Sequence, residues 1–405
     1  ISAHYPPHHL GAYELRIKEI MFVLFKKGHD IRILTTISTS RNLKTTKNSR
    51  YKILRKLHHR KNAKFFPNEI LFDLLDTKCL HNQINSYNPD VVYLGHIYNL
   101  SKALLPYLAK QNIPLILDEG GASLKGAWTE HGRWFRFTGD YQSKHKILNS
   151  IKPFVIKLII SLSKNRIKEK WCWPNNFHVI FNNERNYKKT IALGMPIKKA
   201  SVIHSGININ KFPFNSREVL SPPIKIIYPA RIEPLKGQLD AVQLIAHLKR
   251  NNVKSQLLLV GKNYSNEYFD EISREISHQE ISDLVTFMPM VNQEKLVSLY
   301  HQYDILFFPT YHQMGFSRTP LEAMACGCVV ISYGNEGSNE VVINANNGYI
   351  FQARYFEDLV EIITKLIDSP KLYIKLLKNA RNEIMDHYDL QKYITHIEEF
   401  LFSLL

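Results

Sequence analysis

The stretch that decides the fold is residues 309–342, PTYHQMGFSRTPLEAMACGCVVISYGNEGSNEVV. Its pattern predicts a loop, a helix, a strand and a second loop that leads into another helix. Thr319 suits the N-cap of the first helix, Glu322 suits its positive end, and Gly327 is typical of its C-terminal cap. Residues 328–332 form a short apolar run, which is typical of a strand buried on both faces of a parallel sheet.

A helix that begins in this way suggests a ligand. Its N-terminus presents backbone N–H groups without intrahelical partners, and these groups bind phosphate oxygens. A carboxylate in the first turn accepts hydrogen bonds from vicinal hydroxyls. The arrangement therefore suits a sugar nucleotide.

The same residues resemble the donor-site signature of family 4 glycosyltransferases, which are retaining enzymes of the GT-B fold. That family usually has Glu-Gly-Phe-Gly, followed by a Pro-Leu-Glu-Ala-Met-Ala-Cys-Gly helix. Gly315, Phe316 and residues 320–327 match this pattern, whereas Met314 replaces the first Glu and Ser317 replaces the second Gly. The resemblance covers most of the chain, and it implies two Rossmann-like, doubly wound α/β domains that face an interdomain cleft.

A second part of the resemblance lies in the loop after a predicted strand, residues 229–237. The family pattern is Gly-Arg…Lys-Gly, and here Arg231 and Lys236 match while Ala230 replaces the Gly. An arginine can bind two phosphate oxygens at once, and a lysine adds a point charge. The resemblance implies that both cations stabilise the leaving diphosphate. The alternative is two ordinary surface cations.

The N-terminal part alternates strand, glycine loop, helix and strand, which predicts a βαβ unit. The family has a Gly-Gly pair in this loop near the donor diphosphate, and only Gly11 matches it. His96 follows a predicted strand, and the resemblance implies that it lies beside the reacting sugar; the alternative is a core or loop histidine. Asp118 and Glu119 end the next strand and are acceptor-side candidates, either to hold the acceptor hydroxyl or to act as its base.

Domain limits follow from the same pattern. We predict an acceptor-side domain over residues 1–205 and a nucleotide-sugar-binding domain over residues 206–387. The resemblance implies that a last helix, about residues 388–405, packs back on the first domain. The chain begins Ile-Ser-Ala-His without methionine, so we expect further residues before Ile1.

Composition narrows the class of protein. The chain has 405 residues with 44% hydrophobic content, and it has no apolar run of the roughly 20 residues that a transmembrane helix needs. Its four cysteines fit neither a zinc site nor a disulfide framework, which favours a reducing compartment. The net charge of +17 predicts attraction to anions.

Two segments raise the question of a membrane. Residues 31–68 contain eleven Lys or Arg and no acid, which suits either a solvated basic loop and helix or a surface that docks on anionic lipid. Residues 151–162 are strongly apolar with flanking lysines, and they suit either an interfacial helix or a helix packed within the domain. An aromatic stretch between them, residues 128–137, is a candidate acceptor loop.

The function that the resemblance implies is a retaining, hexosyltransferase-type transfer. The donor is a nucleoside diphosphate sugar and the acceptor a glycan or lipid-linked molecule, in bacterial cell-surface polysaccharide or glycolipid synthesis. The expected location is the cytoplasm, either free in it or attached to the inner face of the plasma membrane. No Asp-x-Asp motif occurs, so we expect neither a metal nor a cofactor beyond the donor, and no motif indicates nucleic-acid binding.

The resemblance also assigns roles to the matching residues. Glu322 would hold the ribose hydroxyls, and Gly315 and Phe316 would offer backbone N–H groups. Met314 departs from the pattern, because a thioether does not accept a strong hydrogen bond from a sugar hydroxyl. Either the donor lacks or inverts that hydroxyl, or Gln313 or His312 substitutes, or activity is weak. The alternative function is a non-catalytic GT-B-like subunit that binds a sugar nucleotide or an anionic membrane.

Overall fold

A computed structural model describes residues 1–7, 12–37, 50–62, 65–121, 124, 132–139, 146–173, 176–313 and 315–405. The chain forms two compact units, one of Ile1–Ile203 with Ile394–Leu405 and one of His204–Tyr393. The sequence predicted the boundary between the two domains at residues 205/206 and the return of the chain to the first domain at about residue 388. Both units are α/β structures with parallel strands, as the sequence predicted. Gly11 and Met314 lie outside the described residues.

The N-terminal unit contains two parallel sheets, ordered β1-β2 and β3-β4-β5-β6. Its strands are β1 (Ile31–Thr36), β2 (Tyr51–Leu57), β3 (Val92–Leu94), β4 (Leu115–Glu119), β5 (Phe177–Phe181) and β6 (Lys199–Val202). Its described helices are α1 (Ala12–Lys26), α2 (Phe66–Tyr87), α3 (Leu104–Leu108), α4 (Gly132–Thr138), α5 (Lys146–Leu162) and α6 (Glu184–Ala192). The first three residues lie between β1 and β3, because Ser2 N donates to Leu34 O and Ala3 N donates to His96 O. The sequence predicted the end of a strand here, and the structure has an isolated bridge between Ser2 and Thr35.

The basic run over residues 31–68 includes a strand that neither interpretation of this run predicted. It contains β2, in which Tyr51, Leu54 and Leu57 are buried while Lys52 and Lys56 are exposed. Lysine and arginine side chains can extend from a strand whose other positions are buried, so a high charge did not exclude a sheet here.

The C-terminal unit contains one six-stranded parallel sheet, ordered β12-β11-β10-β7-β8-β9. Its strands are β7 (Ile224–Pro229), β8 (Ser255–Val260), β9 (Val285–Met288), β10 (Ile305–Phe308), β11 (Val329–Ser332) and β12 (Tyr349–Ile350). Its helices are α7 (Gln238–Arg250), α8 (Asn266–His278), α9 (Gln293–Tyr300), α10 (Arg318–Cys326), α11 (Ser338–Val341), α12 (Phe356–Asp368) and α13 (Pro370–His387). The central strands are apolar and buried, as expected for a sheet covered on both faces.

A last helix, α14 (Leu390–Phe402), extends into the N-terminal unit. Within that unit, Glu398 pairs with Lys27 and with His29, whose Nε2 lies 2.8 Å from Glu398 Oε1. The ring of Phe400 packs edge-on against His178 of β5. These contacts tie the C-terminal end of the chain to its first domain.

Candidate functional site

The strand order of the C-terminal unit locates the candidate site. The chain passes from β7 outward to β8 and β9, and then returns to place β10 on the other side of β7. In open α/β sheets, ligands bind at such a switch point, beyond the carboxyl ends of the strands. The described segments there are residues 230–237 after β7 and residues 309–313 and 315–317 after β10.

Hydrogen bonds join these two loops. Leu235 O accepts from the backbone N–H groups of Tyr311 at 2.8 Å and His312 at 3.2 Å. Gly237, in the left-handed region with φ +72°, makes the close approach possible, because a Cβ atom there would lie 2.2 Å from Pro309 O. The Arg-Lys loop is therefore fixed against the loop that leads into α10.

The loop after β11 closes the other side of this arrangement. Asn335 Nδ2 donates to Thr310 O at 2.8 Å, and Ser317 N donates to Glu336 O at 2.9 Å. Three neighbouring loops of the sheet edge are thereby held together by hydrogen bonds to main-chain oxygens. Because few of these bonds depend on side chains, the sequence alone gives little sign of them.

Lys236 lies at the centre of the arrangement and is only 8% exposed. Its Nζ donates to Glu336 Oε1 at 2.5 Å, and His312 Nδ1 lies 3.2 Å from the same oxygen. Burial alone would raise the pKa of the Glu336 carboxyl, but the hydrogen bond with His312 and the charge of Lys236 outweigh it. The pKa of Glu336 therefore lies below its usual value, and its carboxyl group is ionised at neutral pH. Sequence reasoning did not identify Glu336.

Arg231 lies on the same loop but is exposed, with 54% of its side chain accessible. Its guanidinium pairs with Glu233 at 2.9 Å and lies over the ring of Tyr264 at 5.5 Å from the centroid. Ion pairs at this exposure are weak. The guanidinium can therefore exchange Glu233 for a phosphate at low cost.

The helix that carries Glu322 begins earlier than predicted. Its N-cap is Ser317, whose side chain accepts from Thr319 N at 3.4 Å, so the prediction of Thr319 as N-cap was wrong by two residues. Glu322 is the fifth residue of α10, is 8% exposed, and lies 3.7 Å from Arg318 Nε. Gly327 ends the helix at φ +88°, as predicted.

The turn before this helix packs as a small aromatic cluster. Phe316 stacks on Tyr388 with ring centroids 6.1 Å apart, and His204 lies 5.8 Å from Phe316. A Cβ atom at Gly337 would lie 2.4 Å from the Phe316 ring, so this glycine allows the ring to lie flat on the neighbouring loop. Gly315 has φ +96°, which favours glycine. The turn is thus held by packing of the Phe316 side chain, while Ser317 N is already bonded.

In the N-terminal unit, His96 lies two residues beyond the end of β3. Its side chain is 20% exposed, and Nδ1 lies 3.2 Å from Glu14 Oε1 without hydrogen-bond geometry. The position after the strand is the predicted one, and the catalytic role of His96 stays a prediction.

Asp118 and Glu119 are both fully buried at the end of β4. Asp118 accepts hydrogen bonds from Arg16 and Tyr93, each at 2.5 Å. Glu119 accepts from the backbone N–H groups of Gly121 and Leu124, each at 2.6 Å. Since both oxygens of each carboxylate have protein partners, these contacts indicate a structural role and give no support to the predicted acceptor role.

An apolar cavity of about 420 Å³ lies in the N-terminal unit. It is lined by the first residues of β1 and β3, by Tyr87 and by Leu401. This is the amino-terminal edge of the strands, whereas ligands of α/β sheets bind at the carboxyl-terminal edge. This position gives the cavity no role as a ligand site of the kind found in α/β sheets.

Two other features concern metal and membrane. Among the described residues, no group of three or more His, Cys, Asp or Glu is arranged to hold a metal ion. Within the same part of the chain, no helix combines the length and apolar character that crossing a membrane requires.

Residues 211–383 match the model of the family described as glycosyl transferases group 1. This C-terminal unit belongs to that family. The group 1 domain holds Arg231, Lys236, Glu322 and Phe316, and the match confirms the family that the sequence resemblance indicated.

Two curated relatives illustrate the similarity. Glycogen synthase of Mycobacterium tuberculosis is 24% identical over 210 residues, which cover 52% of this chain and 50% of that protein. The capsular polysaccharide biosynthesis glycosyltransferase CapM of Staphylococcus aureus is 25% identical over 252 residues, covering 60% of this chain and 61% of CapM. The chain spans about half the length of the first curated relatives it matches.

Among solved structures, HepE of Anabaena in complex with UDP superimposes with a TM-score of 0.68. The alignment covers 97% of this chain and 96% of HepE at 17% identity. The likeness shows the fold, which is that of the GT-B glycosyltransferases, as predicted.

Proposed function

We propose that this protein is a retaining glycosyltransferase that uses a nucleoside diphosphate sugar. The observation that carries the proposal is the buried Lys236 at the switch point of the group 1 domain; its partner Glu336 accepts a backbone hydrogen bond from Ser317, the N-cap of α10. A buried lysine beside a helix N-terminus suits a diphosphate, because both favour negative charge. HepE, with the same fold, was crystallised with UDP and UDP-glucose, which supports this class of donor.

In the proposed complex, Arg231 and Lys236 bind the diphosphate and Glu322 accepts hydrogen bonds from the ribose hydroxyls. Negative charge grows on the leaving diphosphate as the sugar–phosphate bond breaks, and the two cations stabilise it. They supply this charge without a metal ion, so we propose a metal-independent reaction. His96 lies beside the sugar in this proposal, and a leaving phosphate oxygen takes the proton of the attacking acceptor hydroxyl on the same face.

The acceptor we propose is a growing glycan or a lipid-linked sugar of a bacterial cell-surface polymer, and the reaction takes place on the cytoplasmic side. Support comes from relatives named for such pathways, among them CapM and an N-acetylgalactosaminyltransferase of Campylobacter jejuni named for an undecaprenol-linked acceptor.

Thermal shift with UDP, GDP and their common sugar conjugates tests the donor site. A ligand at 100 times its dissociation constant adds about 2.7 kcal/mol of stability. We expect one nucleotide to stabilise the wild type but neither Lys236→Ala nor Glu322→Ala, each compared with its own ligand-free state. No shift of the wild type by any nucleotide would contradict the proposal. The anomeric configuration of the product, read by NMR, then tests retention.

The second candidate is a non-catalytic subunit at an anionic membrane, and α5 supplies the observation that favours membrane contact. Ile156 and Ile159 of this helix pack in a core cluster with Trp134, which makes the aromatic stretch at least partly core rather than acceptor loop. The opposite face of α5 is exposed, with Phe154 at 69% and Leu162 at 61%. Exposed lysines lie along and beyond the same helix, which suits insertion between anionic headgroups.

Vesicle co-sedimentation separates these candidates. We expect binding to phosphatidylglycerol vesicles, lost in Phe154→Ser, with Ile343→Ser of the other unit as an exposed apolar control. A protein that binds these vesicles but neither binds nor hydrolyses any nucleotide sugar supports the subunit. If Phe154→Ser leaves vesicle binding unchanged, the protein does not use α5 for membrane attachment.

A further inference from the structure

Glu336 occupies an unusual position for a charged residue. It lies between Gly334 and Gly337 in the turn after β11, and its backbone has φ +50°, in the left-handed region that side-chain-bearing residues seldom adopt. Its main-chain oxygen is fixed by Ser317 N at 2.9 Å, so the turn holds the residue in place. The side chain is nevertheless directed into the candidate site, and the residue is only 8% exposed.

The two oxygens of this carboxylate have different surroundings. Oε1 binds both Lys236 Nζ and His312 Nδ1. Oε2 is buried, and no described residue donates a hydrogen bond to it. A buried carboxylate oxygen without a donor is uncommon, because its lost hydration is not replaced. An N–H or O–H group of a ligand would satisfy it.

The hydrogen-bonding groups of the sugar nucleotide decide which part of it can bind Glu336 Oε2. An ionised carboxylate only accepts hydrogen bonds, and a diphosphate likewise only accepts them and carries negative charge. The two therefore repel, whereas a sugar hydroxyl can donate. Lys236 has three N–H donors and uses one on Glu336, so two remain for phosphate oxygens.

We propose that Glu336 is a specificity-determining residue whose Oε2 accepts a hydrogen bond from a hydroxyl of the donor sugar. The inference rests on the proposed nucleotide-sugar function. Lys236 then lies between the carboxylate and the diphosphate and sets the distance between the sugar-binding and phosphate-binding groups. His312 orients the carboxylate. The site thereby gains an oxygen acceptor that the thioether of Met314 does not supply.

The test compares a nucleotide with its own sugar conjugate. Calorimetry of the wild type first shows which of UDP, UDP-glucose, UDP-N-acetylglucosamine, GDP and GDP-mannose bind. The dissociation constants of the bound nucleotide and of its sugar conjugate are then measured for each variant. Glu336→Gly suits the left-handed backbone, so the variant should fold. Asp304→Asn is the matched control, because Asp304 is a half-buried, ion-paired carboxylate just before β10, at the other edge of the same sheet.

We expect Glu336→Gly to bind the bare nucleotide at least as well as the wild type, since a negative charge near the diphosphate is removed. The ratio of the conjugate's dissociation constant to the nucleotide's should rise at least tenfold, and it should not change in Asp304→Asn. An unchanged ratio in Glu336→Gly, whether or not both ligands weaken, would show that Glu336 only holds Lys236 and would overturn the inference. If the wild type binds neither nucleotides nor conjugates, the proposed function itself fails, and this is visible before any variant is compared.

Discussion

Replacing Lys236 by alanine should destabilise the C-terminal unit, and the structure sets the size of the effect. The substitution leaves the Glu336 carboxylate buried with His312 as its remaining described polar partner. Breaking a buried ion pair by removing one partner costs about 3–5 kcal/mol. Because His312 still contacts the same oxygen, we expect a value near 3 kcal/mol. At about 2–4 °C per kcal/mol for a unit of this size, Tm should fall by about 6–12 °C.

The effect should depend on pH, and the sign follows from Glu336. In the wild type its pKa lies below the unfolded value, so its contribution to stability is present above the unfolded pKa and is lost as pH falls through the folded pKa. Without Lys236, burial favours the protonated carboxyl instead. The Tm difference between wild type and Lys236→Ala should therefore be largest at pH 7.5 and smaller at pH 5.

Calorimetry of the full chain measures both effects, with Lys262→Ala as the control. Lys262 is an exposed cation beside Tyr264, so its loss should cost less than 1 kcal/mol. Lys236→Met combined with Glu336→Gln should recover most of the lost stability, because it leaves no uncompensated charge. The reasoning is refuted if Lys236→Ala lowers Tm no more than Lys262→Ala, or if the double variant is as unstable as the single one.

Three further predictions concern the loops and the helix of the site. Gly237→Ala should lower Tm by several degrees in a thermal melt, because its Cβ would clash with Pro309 O and the backbone is left-handed; Gly194→Ala, also left-handed but with open space around the Cβ, should cost less. Ser317→Ala should cost about 1 kcal/mol of stability through loss of the helix cap, and an unchanged Tm would mean that the cap is dispensable. Glu322→Gln should keep the fold, shown by an unchanged circular dichroism spectrum, and weaken nucleotide binding at least tenfold in calorimetry; equal binding would remove Glu322 from the donor site.

The C-terminal unit was predictable because its signals are local. Apolar runs bounded by glycine and proline gave its strands, and the helix after Ser317 was recognisable from residues within a few positions of one another. The cap position was missed because Ser317 and Thr319 are both good capping residues; the structure identifies Ser317 by its extended backbone and by its side chain, which accepts from Thr319 N.

The N-terminal unit was harder to predict because its buried polar residues have hydrogen-bond partners that lie far away in the sequence. Asp118 at a strand end suits a catalytic carboxylate, yet Arg16 binds it from a helix more than one hundred residues earlier in the chain. Strand β2 was not predicted because its many basic residues obscure the pattern of buried apolar positions. The Arg16–Asp118 contact is long-range, so no short window of sequence contains it.

Glu336 shows what sequence reasoning could have used. The turn Gly334-Asn-Glu-Gly337 follows a buried strand, and turns of this kind often need left-handed residues, which glycine supplies without strain. A glutamate there carries both a conformational cost and the cost of burying a charge, so it needs a compensating cation nearby. Lys236 was already predicted to lie at the same sheet edge. An acidic residue in a left-handed turn and a lysine at the same sheet edge therefore predict an ion pair, which is the one that Glu336 and Lys236 form.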